Sequence, residues 1–288
     1  MKNIRLFARA KINLALDVIE RLDNGYHNLQ MIMQSVSLCD TIYIKKTFND
    51  GICLETNKDW LPIDDKNLVY KAADYLKNEY NIKNGMYIYI KKQIPMCAGL
   101  AGGSADCAST LVGIRNLFNL KICNDKLLEI GKSFGADVPF CIKRGTYLAE
   151  GIGEKLTPMP PMPHCYMLIV KPSVSISTGA IFQSLDLSKI KERPDIEKIN
   201  YYIKNENIEG IAANLCNVLE TVSIPLYPII KDIKEAMLES GALGSLMSGS
   251  GSAVFGIYKS KKQAILSKNF LEKKLNIKDI FIVKPFNI

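Results

Sequence analysis

The tightest constraint on the fold is the stretch Pro95-Met96-Cys97-Ala98-Gly99-Leu100-Ala101-Gly102-Gly103-Ser104-Ala105-Asp106. Upstream of it, Met86 to Ile94 alternates as a strand does, and downstream Asp106 to Leu117 places Ala108, Leu111 and Val112 on one face of a helix. Gly99, Gly102 and Gly103 therefore sit between a strand and a helix start. Glycine accepts positive φ and lets a ligand approach the backbone, and the N–H groups of a helix's first turn attract an anion. Ser104 is placed to cap that helix and to offer a hydroxyl to a metal-bound phosphate. Taken alone, the stretch reads either as a phosphate-binding loop or as a tight turn with an N-cap.

The common nucleotide motifs do not fit. No G-x-G-x-x-G follows a strand, and the P-loop requires G-x-x-x-x-G-K-[ST]. Gly131-Lys132-Ser133 imitates the end of a P-loop, but Lys126 stands five positions earlier in a helical segment. A phosphate loop in this chain belongs to a fold that is neither Rossmann nor P-loop.

The chain of 288 residues is long enough for two modest domains with real cores. Its net charge of +8 suits an anionic ligand or nucleic acid, and its lysine pairs are spread along the sequence as solvated faces usually are. Eight cysteines without any C-x-x-C, and only two histidines, argue for reduced thiols and against a zinc site. Arg5, Arg9 and Lys11 interrupt any signal-peptide core, and no apolar run reaches the length of a membrane span. The expectation is a cytoplasmic protein with no membrane partner.

In chain order, residues 4–19 read as a strand with Ala8, Ala10, Ile12, Leu14, Leu16 and Val18 on one face and Arg9, Lys11, Asn13 and Asp17 on the other. The polar row either faces water or lines a covered site. Asp23-Asn24-Gly25 signals a tight turn, followed directly by Tyr26 and His27. Such a pair stacks on a flat heterocycle or merely covers the rim of the core. Further strands are expected at 31–46 and 52–55, and helices at 67–76 and 125–134. Gly135-Ala136-Asp137-Val138-Pro139 follows, and a strand is expected from Cys141 to Ala149. An Asp in such a turn most often bonds its own backbone. The Pro-rich stretch Pro158 to Pro163 is the best linker, which places a boundary near residue 157 and gives domains 1–157 and 158–288. Beyond it come a strand at 165–170, helices at 179–185, 207–220 and 226–240, a second glycine loop from Gly244 to Ser252 between two strands, a helix at 261–274 and a strand at 278–284. This segregation of strands and helices points to the α+β class.

These segments resemble the GHMP kinases, the small-molecule kinases named for galactose, homoserine, mevalonate and phosphomevalonate. Pro95 to Ser104 is similar to the family's first glycine loop and Gly244 to Gly251 to its C-terminal one. Ala10-Lys11-Ile12-Asn13-Leu14, Gly25-Tyr26-His27, Pro95 to Asp106 and Gly135 to Pro139 narrow the match to the branch acting on 4-diphosphocytidyl-2-C-methyl-D-erythritol in the non-mevalonate isoprenoid pathway. Asn67-Leu68-Val69 and Val174 to Thr178 support it. The departures are small: Ala105 stands where many relatives carry a second serine, and Ser177 and Gly179 replace prolines beside Thr178.

The resemblance implies a two-domain α+β fold, with an N-terminal domain like domain 2 of ribosomal protein S5 and a ferredoxin-like C-terminal domain, the active site lying between them. It implies an ATP-dependent kinase that phosphorylates the 2-hydroxyl of 4-diphosphocytidyl-2-C-methyl-D-erythritol. Asp137 would take the proton and Lys11 would keep Asp137 ionised and stabilise developing charge. ATP would be held by Pro95, Met96, Cys97, Ala98, Gly99, Leu100, Ala101, Gly102, Gly103, Ser104 and Ala105, with Asn67 and Lys92 at the nucleotide end. Asn13, Tyr26, His27, Thr178, Phe182 and Gly249 would contact the alcohol substrate. Magnesium would arrive with ATP, with Ser104 as its one candidate ligand, and no tightly bound cofactor or nucleic-acid partner is implied. The competing readings are a related kinase for another alcohol, which would not need the Tyr26-His27 pair, and a basic RNA-binding module, which would need a concentrated basic helix or an aromatic-studded sheet.

Overall fold

A computed structural model describes residues 2–288 of the chain. Two long strands, β1 (Asn3–Arg21) and β2 (His27–Thr47), organise a seven-stranded sheet. Its order is β3-β4-β2-β1-β8, with β5 on another stretch of β2 and β6 on β5. The expected alternation in β1 holds on its apolar side, where Ala8, Ala10, Ile12, Leu14, Leu16 and Val18 are buried. Lys11, Asn13 and Asp17 are buried as well, so the polar row is covered rather than solvated.

The chain divides into two interleaved compact units. Of the described residues, one comprises those up to Ala10 together with 38–94 and 101–143. In it, β4 (Gly85–Lys91) pairs antiparallel with Thr41 to Thr47 of β2 and parallel with β3 (Ile52–Thr56). Four helices belong to this unit: α1 (Leu68–Glu79), α2 (Gly102–Leu117), α3 (Asn124–Phe134) and α4 (Val138–Lys143). Helix α2 packs against the other three, and even its polar Asp106, Ser109 and Thr110 are buried.

The other unit comprises residues 11–37, 95–100 and 144–288. Here β5 (Thr146–Gly151) pairs with β2 and with β6 (Lys155–Pro158), and the short β8 (Cys216–Asn217) runs parallel to Ala15 and Leu16 of β1. A second, four-stranded sheet contains β7 (Tyr166–Lys171), β9 (Gly244–Met247), β10 (Val254–Tyr258) and β11 (Asp279–Val283) in the order β11-β7-β10-β9, antiparallel throughout. Helices α5 (Thr178–Ser184), α6 (Ile196–Lys204), α7 (Ile208–Ala213), α8 (Glu220–Leu226) and α9 (Ile229–Glu239) fall between its first two strands, and α10 (Lys261–Leu275) between its last two. That connectivity is ferredoxin-like.

Three local expectations are corrected and one helix is added. Cys141 begins no strand, because Val138 to Lys143 forms α4: Pro139 is tolerated in a first helical turn, and the Cys141 N–H bonds the Asp137 carbonyl at 3.0 Å. The expected helix at 207–220 is broken at β8, where Asn214 turns its side chain back onto the Gly210 carbonyl. Helix α6 was not anticipated; Asp195 caps it through the Lys198 N–H at 2.9 Å. Ser104 is not the cap of α2. The helix starts two residues earlier, at Gly102, from Ala101 in the left-handed region (φ 55°, ψ 32°), and Ser104 is its third residue.

Each compact unit is built from three separate segments of the chain. The Pro-rich stretch lies within the second unit, where Pro158 pairs with Tyr147 and the Met162 N–H donates to the Thr146 hydroxyl at 3.2 Å.

Candidate active site

The first glycine loop leaves β4 at Lys92 and reaches α2 at Gly102. It turns by placing Cys97, Gly99 and Ala101 at φ of 50°, 71° and 55°. Two of these are not glycine, so conformational freedom alone does not explain the composition. At Gly99 the reason is proximity: a Cβ there would lie 2.0 Å from the Ser248 carbonyl oxygen. At Gly103 a Cβ would meet nothing closer than Leu68 Cδ1 at 3.9 Å, so the helix start is open on that side. The N-cap residue Ala101 makes no side-chain bond to the first turn of α2, whose N–H groups belong to Gly102, Gly103 and Ser104. Met96, Cys97 and Gly103 are exposed, Pro95, Gly99, Ala101, Gly102 and Ser104 half-buried, and Ala98, Leu100 and Ala105 buried. A helix start that is open on the Gly103 side suits an anion.

Lys11 lies at this loop. Its backbone N–H donates to the Leu100 carbonyl at 3.1 Å, and its Nζ donates to Asn13 Oδ1 at 2.7 Å. The two residues alternate onto one face of β1, and the pair is buried. Asn13 Nδ2 approaches Met31 Sδ at 3.4 Å. A Cβ built on Gly249 would lie 3.5 Å from Lys11 Nζ and 3.3 Å from Gly99 Cα. The second glycine loop, between β9 and β10, thus closes on the first one and on the ammonium group together.

Side chains from several elements fix that second loop. The Ser248 hydroxyl donates to the Gly99 carbonyl at 2.9 Å, and the Ala253 N–H donates to the Ala98 carbonyl at 3.2 Å. Thr178, the first residue of α5, shares a 2.8 Å hydroxyl–hydroxyl bond with Ser250. Asn217 donates to the carbonyls of Met247 and Gly249 at 2.9 and 2.8 Å, and Glu220 accepts from the Met247 N–H at 2.8 Å. Ser248, Asn217 and Glu220 were not singled out from sequence. The serine-rich loop was legible, but its anchors lie 30 residues away along the chain, as from Asn217 to Met247, with no local signature.

Of the three rings expected beside the base, the structure brings His27 and Phe182 together. Gly25 turns at φ 83°, Asn24 accepts from the Tyr26 N–H at 3.0 Å, and the chain enters β2 at His27. Tyr26 is 60% exposed, whereas His27 is buried with its ring centroid 5.1 Å from that of Phe182, tilted by 34°. Burial, with Arg21 adding to it, holds the His27 imidazole below its ordinary pKa of 6.5. A neutral imidazole offers one donor and one acceptor, which suits the edge of a heterocycle.

In the other unit, the half-buried Asp137 occupies the turn between α3 and α4, and its carbonyl starts α4. The Ser104 hydroxyl is 4.0 Å from the Cβ position of Gly135, so the third residue of α2 faces that turn. Lys92 is buried and held: its Nζ donates to Asp40 and, at 2.7 Å, to Asp106. Asp40 also accepts the N–H groups of Gln93 and Ile94. Burial pushes the Asp106 carboxyl well up, Lys92 opposes this and Asp40 reinforces it. Burial alone would lower the Lys92 pKa, but the Asp106 and Asp40 carboxylates more than offset that and raise it. Asn67 caps α1, accepting from the Val69 N–H at 2.9 Å and donating to the Pro62 carbonyl at 2.7 Å. The side-chain polar atoms of Lys92 and Asn67 thus bond to groups of their own unit.

Among the described residues, no group of three or more His, Cys, Asp or Glu side chains could hold a metal ion. The open side of the α2 start suits phosphate oxygens, and the Ser104 hydroxyl is an oxygen donor of the kind magnesium takes.

Residues 67–145 match the GHMP kinases N terminal domain and residues 197–277 match GHMP kinases C terminal. A 4-diphosphocytidyl-2-C-methyl-D-erythritol kinase of Lachnospira eligens is 46% identical over 99% of both chains. One of Acetivibrio thermocellus is 50% identical over 93% of this chain and 94% of its own. A crystal structure of 4-(cytidine 5'-diphospho)-2C-methyl-D-erythritol kinase superimposes with a TM-score of 0.84 at 27% identity, covering 99% of this chain and all of that one. Homoserine kinase of Cytophaga hutchinsonii shares the fold, with a TM-score of 0.74 at 22% identity over 98% and 95% of the two chains. With near-complete coverage at such identity, and both glycine loops in place, the chain belongs to the 4-diphosphocytidyl-2-C-methyl-D-erythritol kinase family of the GHMP kinases.

Proposed function

We infer that the protein transfers the γ-phosphoryl group of ATP to the 2-hydroxyl of 4-diphosphocytidyl-2-C-methyl-D-erythritol, as expected of its family. The observation that carries the chemistry is the convergence of Lys11 Nζ, Gly99 and Gly249, because phosphoryl transfer requires positioned phosphates and neutralised charge more than covalent help from the protein. Residues Pro95 to Ala105 hold the triphosphate through backbone N–H groups, with the first turn of α2 as the anion site. The Ser104 hydroxyl would offer an oxygen ligand to the magnesium that comes with ATP, and that ion would neutralise phosphate charge. The acceptor oxygen forms the new P–O bond as the bond to the ADP leaving group breaks, and Asp137 takes the hydroxyl proton. Lys11, oriented by Asn13, stabilises the charge that develops on the transferred group.

His27 and Phe182 supply the cytosine-facing wall, and Tyr26 is available from the turn to cover the base. Thr178 and Gly249 line the substrate side, while Asn67 and Lys92 hold the frame of the nucleotide end. The family-level division at residue 157 separates the two matched family segments. No described helix is long and apolar enough to cross a membrane, which supports a cytoplasmic location for the reaction. ATP consumption measured across candidate alcohols tests the reading. Turnover should require the cytidine diphosphate group, and equal turnover of simple alcohols lacking it would return the protein to a generic kinase.

A further inference from the structure

Asn217 lies in the two-residue strand β8, which pairs with Ala15 and Leu16 of β1, close along the strand to Lys11 and Asn13. Its side chain is 3% exposed and makes three hydrogen bonds. The Nδ2 group donates to the Met247 carbonyl at 2.9 Å and the Gly249 carbonyl at 2.8 Å, and Oδ1 accepts from the Leu219 N–H at 3.0 Å. Only one orientation of the amide satisfies two acceptors and one donor, so the side chain is fixed. Gly249, pulled by this amide, is the residue whose Cβ position is 3.5 Å from Lys11 Nζ and 3.3 Å from Gly99. One buried side chain thereby ties the strand that carries Lys11 to the loop that closes over it.

We propose that Asn217 is a positioning residue for phosphoryl transfer, setting the place of Gly249 against Lys11 and the first glycine loop. The inference rests on the kinase reading above and adds a residue to it that touches neither substrate. The Asn217 side chain bonds none of Pro95 to Ala105, and the Ser248–Gly99 and Ala253–Ala98 bonds between the loops do not involve it, so its loss leaves the ATP-facing amides in place. What changes is the registration of the second loop with the ammonium group. Displacements of about 1 Å at a reacting centre are enough to cost roughly a hundredfold in rate. The signature is therefore a loss in kcat with KM for ATP retained.

The discriminating variant is Asn217→Asp. It is nearly isosteric and keeps the acceptor for Leu219 N–H, but it turns a carboxylate oxygen without a proton toward two carbonyl oxygens. The milder Asn217→Ser carries the same comparison if the first variant does not fold. Ser267→Ala is the stability control: this buried hydroxyl bonds Tyr258 Oη and Ser240 Oγ at 2.6 Å each, in the same unit but away from both glycine loops. Wild type and variants are assayed with ATP and 4-diphosphocytidyl-2-C-methyl-D-erythritol, normalised to folded protein by circular dichroism. The proposal expects kcat to fall about ten- to a hundredfold in the Asn217 variants with KM for ATP within about twofold. The control should lose melting temperature and keep kcat. Unchanged kcat per folded molecule in the Asn217 variants, whatever their melting temperature, overturns it. Failure of the wild type to turn over this substrate is a different result, which removes the kinase reading and this inference with it.

Discussion

The hydroxyl of Ser248 donates to the carbonyl of Gly99 at 2.9 Å, so two glycine loops 149 residues apart in sequence share a hydrogen bond. The glycines on either side of it have different reasons to be glycine. A side chain at Gly99 would collide with the partner loop, whereas a Cβ at Gly103 would meet only Leu68 Cδ1, at an ordinary contact distance of 3.9 Å.

Gly99→Ala and Gly103→Ala should therefore separate stability from binding. The first needs φ 71° and has 2.0 Å between its Cβ and Ser248 O, so melting temperature and ATP affinity fall together. The second removes a helix glycine without a clash and should hold or raise stability by about 1 kcal/mol, while ATP affinity measured by calorimetry still falls. Full ATP affinity in Gly103→Ala would show that phosphate does not approach that backbone.

Asp137→Asn should abolish turnover with ATP affinity near wild type, since it removes the proton acceptor and not a phosphate contact. Lys11→Ala should also depress kcat strongly. Single-turnover kinetics beside nucleotide titration gives the answer, and near-normal turnover of a folded Asp137→Asn protein would leave Asp137 as no more than the residue that starts α4.

Phe182 faces His27 at 5.1 Å, so the two should act together on the cytidine substrate. Tyr26→Ala and Phe182→Ala should raise its KM roughly ten- to a hundredfold, as loss of a base-stacking aromatic implies. KM for ATP should barely move. His27→Ala should also narrow discrimination between cytosine and uracil substrates, because an unpaired polar edge is what rejects the wrong base. The opposite pattern, with ATP weakened and the alcohol untouched, would assign the clamp to adenine.

His27 also carries a pH dependence of known sign. Burial, with Arg21 adding to it, lowers its folded-state pKa below 6.5, so the unfolded chain binds the proton more tightly. Stability is then complete above pH 6.5, declines as pH falls through 6.5 toward the lowered value, and levels off beneath it. In melting curves from about pH 8 to about pH 5, His27→Gln should lose this part of the decline. Parallel curves for the two proteins would mean that His27 does not titrate differently on folding.

The two carboxylates on Lys92 should respond unequally to neutralisation. Burial raises the Asp106 pKa, so ionising Asp106 opposes folding as pH rises through the folded-state value, and Asp106→Asn should cost little at neutral pH. Asp40 also holds the N–H groups of Gln93 and Ile94, so Asp40→Asn breaks a buried network and should cost about 3–5 kcal/mol. Chemical denaturation of both variants checks this, and equal losses would mean that neutralising Asp106 is as costly as neutralising Asp40.

The amino-acid sequence by itself determined the α+β class, the strand face of Ala8 to Val18, the glycine loop between β4 and α2, and the family, because these depend on local periodicity, turn chemistry and contiguous motifs. It left the polar row of Lys11 and Asn13 open between solvent and site, since alternation assigns a face but not what covers it. Only the tertiary structure decided that this row is buried, that Lys11 meets Gly249, and that Lys92 is held by Asp40 and Asp106. Helix α4 was misread because Pro139 looks like a breaker, although a first helical turn has no N–H bond for it to lose. Asn217 was invisible for the complementary reason: its three partners are backbone groups, two of them 30 and 32 residues away, and a backbone partner leaves no mark on the residue types around it.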